Sequence, residues 1–313
     1  VWSKELDEAY RHAHRIVEIA PDSSRGYEAR ADLSQYESGR MDDAIKWRHK
    51  AARTDDKSPN QPSAIGDAYA ALGDLEMALA YYRRVRGIVA ADATDWQHQI
   101  LMAEAWAWLG SRRDDADANA QERLALSDVY DEGRLEIELS LDRSKTRAQV
   151  LLSQFRDQNP ECFAYDADPN EEITCPTVVY FLYGELGDTE AAQRRLEPNL
   201  EAGKAISVWS RKALGPFLLR DLVLLGRHEE ALDLLEELVQ TDWRGRVGGI
   251  SGSVRFSLYR NVLLDAIRDH PRFQAMVAVV ESDMAEQLEN VREMERKGEL
   301  PTLKELRADP VAE

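Results

Sequence analysis

Across residues 63–92, "SAIGDAYAALGDLEMALAYYRRVRGIVAAD", apolar and small positions recur every three or four residues on both sides of Gly73. That period puts them on one stripe of a helix, so the segment predicts two helices joined by a tight turn at Gly73. Gly66, Tyr69, Gly73, Ala78 and Tyr82 follow one another at offsets of 3, 4, 5 and 4. Small residues at Gly66 and Ala78 let two antiparallel helices approach, while Tyr69 and Tyr82 fill the space toward neighbouring hairpins. One such hairpin leaves an apolar face uncovered and needs copies of itself.

Copies are present. Gly39, followed by Ala44 in "ESGRMDDAIKWRHKAA", stands 34 residues before Gly73, and Gly110 comes 37 residues after it. Gly187 in "YFLYGELGDTEAA" and Gly226 in "LVLLGRHEEALDLLEELV" open further turns, giving at least five units. A degenerate unit occupies residues 129–160, where Ala148, Leu152, Phe155 and Pro160 fall in register as a second helix and its closing proline. Its first half is ambiguous: Leu135, Ile137, Leu139 and Leu141 alternate with polar residues as a strand would, and helix is favoured on register. At the N-terminus, "LDEAYRHAHRIVEIAP" reads as a second helix with Ala9 and Pro21 in register, so the chain is expected to continue upstream.

Beyond Trp243 the pattern dissolves into "WRGRVGGISGSVRFSLYR" and then resumes. Ile267, Phe273, Met276, Val280 and Met284 have helical spacing, and Pro271 marks the start of a long helix. The expected organisation is helical repeats over 1–245, a Gly/Arg-rich connection with a helical cap over 246–300, and a frayed tail over 301–313.

The hairpin pattern resembles the tetratricopeptide-repeat family over residues 4–245. The resemblance implies an all-α fold, a right-handed α-α superhelix whose first helices line a concave groove for a protein or peptide. By register it puts Tyr36, Asp67, Glu104, Trp108, Phe181 and Arg220 on that inner face; the alternative is that they pack between hairpins. The end of the chain, "LLDAIRDHPRF" and the charged helix after it, is similar to bacterial proteins that carry such repeats behind a winged-helix regulator or a nucleotide cyclase. The implied role is the sensory or regulatory part of a larger protein.

Charge narrows the partners. Lys and Arg number 40 against 58 Asp and Glu, a net charge of −18 that repels phosphate backbones and anionic lipid. No apolar run approaches the roughly 20 residues of a membrane-spanning helix. Against that background "GRVGGISGS", with Arg244, Arg246, Arg255 and Arg260 and no acid between Trp243 and Leu264, reverses the local sign. Glycine-turn amides and arginines suit an anion, or an acidic face of a second copy of this chain in a homodimer. The Gly-Lys-Ser/Thr ending of a phosphate-binding loop is missing, and a plain connecting segment is the competing reading.

Catalytic signals are poor. His12 and His14 lie two apart on a helix and cannot chelate together, and His49, His98, His228 and His270 lack ligand company at useful spacing. Trp96, Trp106 and Trp108 cluster as either core or ligand cradle. With no nucleophile elbow, P-loop or dinucleotide fingerprint, the expectation is a non-enzymatic binding protein with no cofactor and no metal. A small-molecule or anion receptor is the alternative.

The only two cysteines, Cys162 and Cys175, stand at either end of "ECFAYDADPNEEITCP", an insertion between units over 161–176. Its acids fail as a calcium loop, since Glu171 takes the place of the turn glycine and Thr177 that of the bidentate acid. A disulfide closing the loop is expected, stabilising by about 3 kcal/mol. It would place the chain in an oxidising compartment such as a periplasm; two reduced thiols would suit the cytoplasm.

Overall fold

The computed structural model describes residues 2–54, 58–90, 93–160, 177–188, 190, 196, 218–241 and 254–308, without the side chains of 2–7, 36, 37 and 177. The described residues are mainly helical, with no strand among them. The chain runs through α1 (Trp2–Ile19), α2 (Ser24–Asp32) with a π-helical extension Leu33–Glu37, α3 (Met41–Thr54), α4 (Asn60–Leu72) and α5 (Leu75–Ile88). There follow α6 (Thr94–Gly110), α7 (Ala116–Leu124), α8 (Glu132–Leu141), α9 (Lys145–Gln158) and α10 (Thr177–Glu185). After a helical stretch over 218–224 come α11 (His228–Gln240), α12 (Val254–Tyr259), a 3-10 turn Val262–Leu264, α13 (Asp265–Arg268), α14 (Pro271–Arg296) and α15 (Leu303–Ala308).

Each helix from α1 to α7 packs on the next. The turn between α4 and α5 shows why. Gly73 sits at φ 89°, in the left-handed region that a side chain disfavours. Its N–H bonds the Ala70 carbonyl and the Asp74 N–H bonds that of Tyr69, at 3.1 and 2.9 Å, satisfying the end of α4. Asp74 then caps α5 by accepting from the Met77 N–H at 3.2 Å. Gly39, Gly187 and Gly226 also have positive φ, as turn residues should. Gly110 does not: it ends α6, and the left-handed residue of that turn is Arg112, at φ 58°.

Residues 132–141 form a helix. Its sequence looked strand-like because α8 has no solvent face: Gly133 to Leu139 are all buried. Its polar residues are turned inward and paired, Arg134 donating to Glu138 at 2.8 Å and Arg147 pairing with Glu138 as well. A helix buried all round carries no amphipathic stripe to read.

The C-terminal segment carries helix out to residue 308 and folds back on the hairpins. The 26-residue α14 packs back on α3, α4 and α11, and residues 303–308 form α15, which packs on α5. The docking is polar as well as apolar. Gln287, 2% exposed, accepts from the Met41 N–H at 2.7 Å and donates to the Gly39 carbonyl at 3.0 Å. Asn290 donates to Asp42 at 2.9 Å, and Arg292 pairs with Asp74. Tyr69 donates to Glu295 at 3.1 Å. Helix α14 thus reaches two hairpin turns at once, those at Gly39 and Gly73. No helix among the described residues is long and apolar enough to cross a membrane.

Candidate functional site

Four of the groove candidates lie in the interior, with Glu104 2%, Arg220 5%, Trp108 8% and Phe181 8% exposed. Glu104 on α6 is clamped by Arg86 from α5 and by Arg123 from α7, the latter at 2.7 Å. Trp108 belongs to the main core, with the Arg113 guanidinium 5.2 Å from its ring centroid. Phe181 packs with Leu135, Leu139 and Phe155 in a second core. Asp67, half-buried, accepts from the Tyr82 hydroxyl at 2.8 Å, and the Tyr36 side chain lies outside the description. These positions pack between neighbouring helices, Glu104 between α5 and α7, Phe181 against α8 and α9, and Arg220 against α8, which is the alternative to facing a groove.

Arg220 shows the electrostatics of these interior positions. Its guanidinium meets Glu136 at 2.7 Å and Glu132 at 3.3 Å, and Asn261 adds a hydrogen bond to Glu136 at 2.9 Å. Burial nevertheless pushes the Glu136 carboxyl up to about 7, and that of Glu132 up as well. The network ties α8, the 218–224 helix and the connection after α12 into one buried ion cluster.

Of the arginines singled out for an anion, Arg244 and Arg246 lie outside the described residues, as do Cys162 and Cys175. Arg255 donates to the Gly110 carbonyl at 3.2 Å, and its guanidinium lies where a Cβ on Gly73 would sit, 2.9 Å away. It therefore stands at the C-terminal ends of α4 and α6 together, where a cation offsets both helix dipoles.

Arg260 opens onto a cavity of about 460 Å³ between the α6–α7 turn and α12–α14, shared with Arg112, Arg113, Arg268 and Tyr259. The Arg112 guanidinium stacks 3.7 Å from the Tyr259 ring centroid and pairs with Glu281 at 3.1 Å. Tyr259 donates to the same Glu281, and burial together with that bond pushes its hydroxyl up to about 12. Arg260 pairs with Asp117, Arg113 with Glu76 at 3.3 Å, and Arg268 with Asp265 at 2.6 Å. Four guanidiniums converge, yet each already holds a carboxylate, so an anion entering here competes with internal partners. Local charge in the sequence singles out Arg260 but not Arg112, whose chain neighbours Asp114 and Asp115 mask it.

A further arrangement has the residue types of a proton relay. His98, 6% exposed, meets Ser127 Oγ through Nδ1 at 2.8 Å and Asp131 Oδ2 through Nε2 at 2.9 Å. Both ends carry backbone as well: Asp131 Oδ1 accepts from the Arg134 N–H at 2.9 Å, capping α8, and Ser127 Oγ accepts from the Val129 N–H at 3.2 Å. The imidazole ties the α7–α8 connection onto α6. No protein-family model matches the chain, and no curated protein is significantly similar to it.

Proposed function

We propose that the chain is a non-enzymatic tetratricopeptide-like scaffold, a right-handed superhelix that binds a protein or peptide as the sensory or regulatory part of a larger bacterial protein. The observation that carries this reading is the repeat itself. Gly39 and Gly73, 34 residues apart, both turn the chain in the left-handed conformation between successively packed helix pairs. Groups suited to chemistry, such as His98, Glu104 and Glu136, are engaged in holding helices together. Because the inward positions are filled, Asp67 is the described groove candidate best able to meet a partner. A peptide array probed with the full chain should show sequence-dependent retention that weakens with Asp67→Ala. Uniform or absent retention would count against the scaffold reading.

The arginine convergence at Arg112, Arg260 and Arg268 favours a second reading, an anion receptor. Inorganic phosphate should then raise the melting temperature, and Arg112→Ala should remove the rise. The compartment proposal rests on Cys162 and Cys175: mass spectrometry after alkylation without reductant should find them joined if the chain resides in a periplasm, and both alkylated if it is cytoplasmic.

A further inference from the structure

The hydroxyl of Ser127, in the connection between α7 and α8, takes part in hydrogen bonds whose directions are set from their far end. Asp131 caps α8, its Oδ1 accepting from the Arg134 N–H at 2.9 Å. Burial opposes its ionisation, but the bonds from His98 and from that N–H hold the carboxyl below its usual range, so it only accepts. His98 Nε2, 2.9 Å from Asp131 Oδ2, must therefore carry the proton of that bond. In the neutral imidazole this leaves Nδ1 as an acceptor, and the group facing it at 2.8 Å is Ser127 Oγ. Ser127 thus donates to His98, and His98 to Asp131.

The Val129 N–H donates to the same serine oxygen at 3.2 Å and occupies one of its two lone pairs. That bond keeps the hydroxyl hydrogen turned to the imidazole and leaves the second lone pair for attack. His98 is 6% exposed, so bulk water does not compete for Nδ1. Ser127 itself is half-buried, and Leu126 before it and Val129 beyond it are 64% and 39% exposed. A reagent can therefore reach the oxygen while the base behind it stays shielded. A nucleophile within hydrogen-bond reach of a base that a third group orients is the arrangement that activates a serine.

We infer that Ser127 is an activated nucleophile that accepts an acyl group from an activated acyl donor, a thioester or aryl ester. Oγ bonds to the acyl carbon as the carbon–sulfur or carbon–oxygen bond of the donor breaks. The hydroxyl proton passes to His98 Nδ1 and then to the leaving thiolate or phenolate, and Asp131 stabilises the imidazolium between the two transfers. The products are an acyl-serine on the chain and a free thiol or phenol. The bonds that tie the α7–α8 connection to α6 are the same ones that activate the hydroxyl, so the inference goes beyond the scaffold reading and stands without it.

Incubation of the full chain with 4-nitrophenyl butyrate tests it, read by release of 4-nitrophenolate and by mass spectrometry of the peptides. The expected result is a butyryl group on Ser127, absent from Ser127→Ala and from the chain unfolded in urea. His98→Gln keeps a hydrogen-bonding side chain but no base, and should slow the acylation by about 100-fold or more with the circular dichroism unchanged. Asp131→Asn still caps α8 and should slow it as well. Should His98→Gln unfold, Asp131→Asn and the urea comparison decide. No butyryl group on Ser127 of the wild-type chain, the same rate in the unfolded chain, or wild-type rates in the folded variants of His98 and Asp131 would each overturn the assignment.

Discussion

Gly66 lies so close to Tyr82 that a Cβ built on it would stand 2.6 Å from Cε1 and 2.9 Å from Cδ1 of the ring. Tyr82 is 1% exposed and its hydroxyl is tied to Asp67, so the ring has nowhere to go. Gly66→Ala gains about 1 kcal/mol of helix propensity. Overpacking costs about 1–3 kcal/mol at such a site, so a net loss of stability is expected. Urea denaturation of the variant checks it, and a gain in stability would mean that the helices separate easily.

Gln287 binds the first hairpin turn through both ends of its amide. In Gln287→Ala the Met41 N–H is left buried without its acceptor, which costs about 1–3 kcal/mol. Hydrogen exchange should show faster exchange at Met41 and along α14, with α8 and α9 unaffected. Unchanged protection at Met41 would mean that water replaces the glutamine.

His49 should make the protein acid-sensitive. Burial, with the positive charges of Arg53 and Arg84, holds its imidazole at about 3 when folded against an ordinary 6.5, so between those values the unfolded chain binds a proton that the folded chain does not. Stability from this group is complete above pH 6.5 and declines as the pH falls toward 3. Melting temperatures from pH 7.5 to 4 should fall less steeply in His49→Gln than in the wild type. Parallel slopes would assign the acid sensitivity elsewhere.

Glu136 acts with the opposite sign. Its carboxyl is raised to about 7 from 4.5, so across that window the folded chain keeps a proton that the unfolded chain has lost. Its contribution therefore weakens as the pH rises through that interval. Arg220→Met removes the opposing cation and should destabilise by about 3–5 kcal/mol at pH 8, the cost of breaking a buried ion pair. The loss should shrink toward pH 5 as Glu136 and Glu132 take up protons, which chemical denaturation at the two pH values measures. A pH-independent loss would mean that water reaches the cluster.

The hairpins were legible because their signals are local: the small residue, the aromatic and the turn glycine of α4–α5 act within one helix pair, and Gly39, Gly73, Gly187 and Gly226 all turn as their spacing requires. The candidate site was less legible. Arg260 stands out by charge, but in sequence Ser127 is an ordinary loop serine and His98 a lone histidine. Only folding brings them within 2.8 Å of each other.

The sequence by itself determined the helical class of the described residues, the positions of most of their turns and the strongly acidic net charge, since helix period, glycine chemistry and charge are carried by near neighbours. Tertiary structure decided the rest. It made a helix of residues 132–141 by burying every side, and turned Glu104, Trp108, Phe181 and Arg220 inward. It also laid α14 across turns that precede its contacts by more than 200 residues, as Gln287 does with Gly39 and Met41. Such contacts depend on which surfaces remain uncovered once the hairpins have packed, and no local period in the chain encodes that.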